Sequence, residues 1–561
     1  MVLMEGHVVV VGEPRAGRSD LVAALRSVLD PKSTLGRVNP LDIHRPLPDQ
    51  HDAPMTEVEV ALLDLGEDLE ELLAAHLEAF DRVTAEAAGS GVAETAVLGV
   101  RLCYRARYDF DSDTGEHWVD WPAQSDPASG VFARARRVER EALPFHLVQP
   151  GPALQVRAEG VFRGLVEDAE PDELLEALKT LEEGVRGATE EFSSADAVSA
   201  GLSRVVAAGT GDLLGLTSAS KVGFVPDDGS LAALLRALQP AIDLDAAGFV
   251  PLRSHGSTAA GVLSASEAVA AAAAYPSGLV VVVDDFGENL DASSAEYLAI
   301  LLRRNASQVV VTTRRPEVVR AFELHELLRL TRSHGLRQQH RLEKATDRKS
   351  RKARRDLLDQ LTSAMTGSTV VLMEGPHDIE AYGAVSARWA RRSKDTSRVL
   401  AAHGVRLACA PGEHGGKDSL PALATLAGRL GFHVRAVVDD DKPGESDALF
   451  DTLESLTEQL VVLPQRTAVE GALVRGLAPD VLRAALQVLV EDYELDVKLD
   501  DLPDEQIADT IVKKKLLKQK GGLHKPWVEA LPHRQLPELA LDVLKIICSD
   551  EMGRIVLEAP A

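Results

Sequence analysis

Near the amino terminus stands "HVVVVGEPRAGRSDLVAALRSVL", His7 to Leu29: four valines, a loop holding glycine and proline, then apolar positions at helical spacing after Ser19 and Asp20. This predicts strand, loop, helix. Alternation in "TEVEVALLDL", Thr56 to Leu65, predicts a half-buried strand, and the segment from Thr95 to Trp121 predicts further strands with a hairpin turn around Asp113 to Gly115. From about Val131 to Leu238 the pattern is mostly helical, as in "PDELLEALKTLEEGVRGATEEF", and reads as an inserted helical region. Sheet character returns at "GLVVVVDDFGENLDASSAEYLAILLRRNASQVVVTT". Two apolar runs flanking a helical pattern predict β-α-β order and a buried parallel sheet.

Between Thr331 and Arg355 the composition becomes basic, predicting a linker or bridging helix. Beyond it "STVVLMEGPHDIEAYGAV", "GVRLACAPGEHGGKDSLPALATLAGRLG" and "HVRAVVDDDKPGE" repeat the strand-then-helix rhythm of a second α/β domain over roughly 366–480. The remainder reads as helices with a lysine-rich middle. The fold class is therefore α/β and multi-domain.

Composition narrows the picture. With 561 residues, 45% of them hydrophobic, the chain can bury several cores. The formal charge of −26 argues against a surface coated in positive charge for non-specific nucleic-acid binding, while leaving room for local basic patches. Cys103, Cys409 and Cys548 lack metal-ligand spacing and read as isolated core thiols. No apolar stretch approaches the roughly 18 residues that span a bilayer, and the amino terminus lacks the pattern of a secretory signal, so a cytoplasmic protein without a membrane partner is expected.

"GEPRAGRS", Gly12 to Ser19, has the spacing of a phosphate-binding loop with Arg18 where lysine belongs. Backbone N–H groups around Gly12 and Gly17 and the following helix would face phosphate oxygens, and the Ser19 hydroxyl would face Mg²⁺. A plain Gly/Pro turn explains the same letters. "LVVVVDDFGENLD" delivers Asp284 from a buried strand, followed by Asp285. With "RSHGSTAAGVLSASEAV" upstream and "VVVTTRRPEV" downstream, the order resembles ATPases of the ABC, RecF and SMC type. The resemblance implies ATP held by Gly12, Gly17, Arg18 and Ser19, with Asp284 at the metal and Asp285 orienting water. Arg18, Asp285 and Arg314 depart from that pattern, so nucleotide bound without efficient hydrolysis is the expectation.

In "RAVVDDDKPGE" the alternation of a strand sends Asp439 and Asp441 to one face and Asp440 to the other. Alone this could be a solvated acidic turn. However, "TVVLMEGPHD" ends another apolar strand in Glu374, with Asp378 four residues on, and parallel strands share one C-terminal edge. An E-G at one strand end and a D-x-D at another resemble the Toprim domain of topoisomerases, primases and certain nucleases. The resemblance implies Glu374, Asp378, Asp439 and Asp441 as ligands of Mg²⁺ or Mn²⁺, hard cations that take oxygen donors, with Glu470 in "RTAVEGALVRG" as a further acidic position.

The combined architecture resembles the OLD (overcoming lysogenisation defect) family, which includes the nuclease of Gabija phage defence. It implies an ABC-type ATPase domain over 1–130 and 241–335, a helical and dimerising insert over 131–240, a basic linker over 336–365, a Toprim domain over 366–480 and a helical region over 481–561. The implied activity is metal-dependent DNA endonuclease chemistry by a homodimer or homotetramer formed through the ATPase region, with a helicase as a further partner. Glu374, Asp439, Asp441 and a lysine carry catalysis. Lys525 is the expected lysine, because "GGL" allows close backbone approach and Pro526 suits a first helical turn. DNA is expected at the basic runs Arg332–Arg355 and Lys513–Lys520, which also read as solvated helix faces. The alternative reading is a non-catalytic sensor of nucleotide and DNA.

Overall fold

The computed structural model describes residues 6–43, 55–82, 86–87, 96–109, 112–143, 145–148, 154, 156, 161–205, 235, 238–244, 248–274, 280–333, 335–345, 347–410, 416–440, 442–499, 502–532 and 535–559. Asp441 lies outside them. The chain divides into two compact units, one of Met1–Leu21 with Thr312–Ala561, the other Val22–Val311. Both are mixed α/β.

In the Val22–Val311 unit the strand Ala96–Asp109 pairs antiparallel with Thr56–Leu63, Leu77–Asp81 and Thr114–Asp120. Its period-2 pattern divides its side chains. Val100, Leu102, Tyr104 and Ala106 enter one apolar cluster with Val28, Val119 and Trp121. Arg105 takes the other face, where its Nε donates to Asp120 Oδ1 at 2.8 Å. A separate set of parallel strands places Val280–Val283 between Phe145–Val148 and Gln308–Thr312. The helix Ala292–Asn305 that links two of them starts at Asp291, whose Oδ1 accepts from Ser294 N at 3.0 Å. Within the stretch over 131–240 expected to be mostly helical, Phe145–Val148 is a strand: "FHLV" is too short to declare one, and its extended form comes from pairing with Val280–Val283.

In the other unit Val8–Gly12 pairs parallel with Leu327–Ser333, which turns back as Leu336–Arg341. The expected basic linker over 336–365 is therefore a strand followed by the helix Arg348–Leu361. Five parallel strands make the second sheet, in the order Val405–Cys409, Thr369–Met373, His433–Val438, Gln459–Val462, Gly553–Val556. The last of these belongs to the segment expected to be only helical, and the helices Pro479–Tyr493, His524–Ala530 and Glu538–Ile547 contribute to the core beneath the same sheet. Numbered along the chain, the sheet runs 2-1-3-4-5. The strand order reverses between Thr369–Met373 and His433–Val438, and such a reversal opens a crevice at the strands' carboxyl ends.

Arg329 ties the first strand pair to this sheet. Buried, it donates to Leu430 O at 2.7 Å, Gly367 O at 2.6 Å and Met365 O at 3.4 Å, with its guanidinium 3.7 Å from the centre of the Phe432 ring. Burial lowers its pKa to about 10, so it stays charged at neutral pH.

Candidate active site at the strand reversal

Glu374 and Asp439 directly follow the two strands that flank the reversal. Glu374 Oε1 accepts the backbone N–H of Asp439 at 2.7 Å and lies 3.4 Å from Lys417 Nζ, which also donates to Asp439 O at 3.0 Å. Lys417 comes from the "GGKDS" turn, so three loops converge on one spot. Asp378 sits in the first turn of the helix Pro376–Ala390, where its Oδ2 accepts Gly375 N at 2.8 Å. Glu470 lies in the helix Val469–Val474, and its Oε1 accepts from Lys518 Nζ at 3.0 Å and from His524 Nε2 at 3.2 Å.

Charge separates these carboxyls. Burial, then the neighbouring Glu374 charge, raises Asp378 to about 7. Burial, then Glu374 and Asp378, pushes Asp439 well above the usual carboxylate range. Glu470 goes the other way: burial would raise it, but the His524 hydrogen bond and the Lys518 charge hold it at about 2. The Tyr382 hydroxyl is buried without a hydrogen-bond partner among the described residues, and its pKa is raised first by burial and then by Asp439, Asp378 and Glu374. A buried hydroxyl lacking a partner normally finds water or an ion. The oxygen donors here, gathered at like charge, fit a hard divalent cation such as Mg²⁺ or Mn²⁺.

Lys525 is not the lysine at this crevice. The helix begins at His524, which places Lys525 and Pro526 inside its first turn, and Lys525 is exposed. It lines a cleft of about 650 Å³ with Arg388, Arg391, Arg392 and Glu529. Besides Lys417, the lysine that reaches the acids is Lys518, where burial lowers the pKa but Glu470, Asp439 and Asp378 outweigh it and raise it. It was hidden in "KKKLLKQKGG" because its approach depends on irregular backbone: Lys515 and Lys520 have φ of 49° and 52°. His377 and His524, also unforeseen, stack with ring centres 4.6 Å apart.

The phosphate-loop candidates divide between the units. In the Met1–Leu21 segment Gly12 ends its strand so close to the neighbouring one that an added Cβ would stand 2.3 Å from Leu330 O. Gly17 has φ of 92°, and a Cβ there would meet Arg337 Nε at 2.1 Å. Arg337 thus lies over the loop, paired with Asp20. Arg18 Nη1 donates to Thr313 O at 2.7 Å, which directs its guanidinium to a backbone carbonyl, and Ser19 is exposed. In the Val22–Val311 unit Asp284 and Asp285 line a cavity of about 340 Å³ with Ser264, Phe286 and Asn289. Asp285 adopts φ of 46°, a left-handed backbone that Asp tolerates better than most residues.

No family model and no curated protein matches the chain. Among solved structures it is similar to an SMC head bound to the C-winged helix domain of ScpA, at 11% identity and TM-score 0.31 over 61% of this chain and 92% of that one. It is likewise similar to an SMC head domain with an extended coiled coil bound to the C-terminal domain of ScpA, from Pyrococcus furiosus, at 14% identity and TM-score 0.29 over 60% and 90%. Likeness at that level carries no argument about function. No helix among the described residues is long and apolar enough to cross a membrane.

Proposed function

We propose that the crevice at the strand reversal is the centre of a metal-dependent DNA endonuclease of OLD type. The observation that carries this is the placing of Glu374 and Asp439 at the ends of the two strands that flank the reversal, with Glu374 Oε1 on Asp439 N at 2.7 Å, where burial and then the charge of Glu374 raise the pKa values of Asp378 and Asp439. Glu374, Asp378 and Asp439, with Glu470 through its second oxygen, would hold Mg²⁺ or Mn²⁺. Such a cation supplies Lewis acidity to a phosphoryl oxygen and acidifies a bound water. Lys518, fixed on Glu470, places a cation where charge develops on a phosphodiester under in-line attack. Lys417 orients Glu374 and the loop that carries Asp439.

The Gly12–Ser19 loop and Asp284 and Asp285 belong, in this reading, to an ABC-type ATPase part that binds ATP without efficient turnover. Support comes from Arg18, which is turned to Thr313 O where a phosphate-binding loop needs a free ammonium. A homodimer or homotetramer through that part and a role in phage defence complete the proposal. DNA approaches along local basic surface despite the net charge; Arg388, on the same helix as Asp378, lines a cleft with Arg391 and Arg392 just past that helix and with Lys525.

The decisive assay is nicking of supercoiled plasmid with Mg²⁺ or Mn²⁺ against an EDTA control. Asp439→Ala should abolish it while the protein stays folded. Absence of nicking by the wild-type protein on plasmid and on linear DNA, with DNA binding intact, would favour the sensor reading.

A further inference from the structure

Beside the carboxylate crevice, His377, Glu380 and His524 bring ligand atoms within 4.8 Å of one another. His377 and Glu380 are three residues apart on the helix Pro376–Ala390, so they share a face. His524 comes from the short helix His524–Ala530 and is fully buried.

The ring of His524 is specified atom by atom. Its Nε2 lies 3.2 Å from Glu470 Oε1, a carboxylate oxygen that accepts, so Nε2 is the nitrogen that donates. Its Nδ1 is left with a lone pair, buried and without a hydrogen-bond partner among the described residues. A metal-binding imidazole is built this way: one nitrogen donates to a carboxylate that fixes the tautomer, the other faces the ion. A second observation concerns Gly522. Its φ is 114°, and a Cβ there would stand 2.9 Å from His377 Nδ1 and 3.6 Å from Glu380 Oε2, so both of these donor atoms face the gap that the missing side chain leaves.

We propose that His377, Glu380 and His524 form a site for a divalent transition-metal cation of the imidazole-preferring class, Zn²⁺, Co²⁺ or Ni²⁺, distinct from the all-oxygen crevice and joined to it through Glu470. Two imidazoles and one carboxylate suit these ions and not Mg²⁺. The rings of His377 and His524 lie 23° from parallel, an arrangement in which both lone pairs cannot point at one ion. Binding therefore requires His377 to turn about its side-chain bonds and the donors to close by about 1 Å, toward metal–nitrogen distances of ~2.1 Å. Only half-buried, His377 is free to do so, whereas His524 is not. The inference does not depend on the nuclease reading, because it concerns binding and not cleavage.

The test is titration of full-length protein, stripped of metal and freed of chelator, with Co²⁺ followed by its visible ligand-field absorption. The wild-type protein should bind Co²⁺ with a spectrum of nitrogen-bearing, low-coordinate geometry, displaced by Zn²⁺ and not by Mg²⁺. His377→Ala and Glu380→Ala, both near the surface and checked for folding by circular dichroism, should each weaken binding at least tenfold. Asp439→Asn should leave this spectrum in place even where it removes DNA cleavage. A wild-type protein without such absorption, or the same Co²⁺ affinity in His377→Ala and Glu380→Ala, overturns the proposal. Loss of nicking in Asp439→Asn with Co²⁺ binding retained separates this site from the crevice.

Discussion

Lys518 Nζ stands 3.0 Å from Glu470 Oε1, the oxygen that His524 also engages. A flexible side chain from a lysine-rich turn is thereby fixed against a buried acid, with Asp378 and Asp439 close enough to raise its pKa. The first prediction compares lysines. Lys518→Ala should lower the DNA cleavage rate by about 10²–10³, the cost of removing one fixed donor to a developing oxyanion, with DNA affinity little changed. Lys525→Ala should leave the rate within a few fold and weaken binding in a salt-dependent way. Single-turnover cleavage and binding measured at two salt concentrations distinguish the two.

The raised pKa of Asp378 gives stability a pH dependence. An unfolded chain releases that proton near the ordinary value of 3.8, the folded chain only near 7. Between those values the folded state binds more protons, so this contribution is greatest below 3.8 and is lost as pH rises toward 7. In EDTA, urea unfolding should show stability falling across that window by an amount on the order of a few kcal/mol. Asp378→Asn should flatten the slope, and Mg²⁺ should offset the loss by favouring the ionised form.

Arg329 offers a test of how the strand pair Val8–Gly12 and Leu327–Ser333 is joined to the five-stranded sheet. Its guanidinium serves three carbonyls at once, Met365, Gly367 and Leu430. Arg329→Met leaves those acceptors buried and unpaired, and should cost ~3 kcal/mol or more of stability. Arg329→Lys should recover little, since one ammonium cannot match the planar fork. Denaturant midpoints of the three proteins decide it.

The loop at Gly12–Ser19 should bind ATP weakly, and turnover should stay below about 1 per second. Arg337 covers Gly17, and its partner Asp20 keeps it there. Arg337→Ala should therefore tighten nucleotide binding several-fold by exposing the loop, without producing rapid hydrolysis. Calorimetry with ATP on both proteins is the check, and unchanged affinity would mean that Arg337 does not obstruct the loop.

Much of the architecture was legible in local sequence because burial imposes a period. The runs at Val8, Val280 and Thr369 are almost wholly apolar, as parallel strands covered on both sides must be, the strand from His433 closes in Ala-Val-Val, and Glu374 and Asp439 are the acids that directly follow two of these strands. What a short window cannot carry is a pairing between distant segments. Phe145–Val148 and Gly553–Val556 become strands only through neighbours far along the chain.

The same distinction divides the candidate site. The sequence by itself determined that carboxylates would stand at strand ends, because the alternation of a buried strand and the charge that stops it are local facts. Only the tertiary structure decided that the strand order reverses between those two ends, and that Glu470 meets Lys518 and His524 there. Those contacts join residues 48 and 54 positions apart. They depend on helix packing beneath the sheet and on left-handed backbone at Lys515 and Lys520, where long-range burial outweighs local preference.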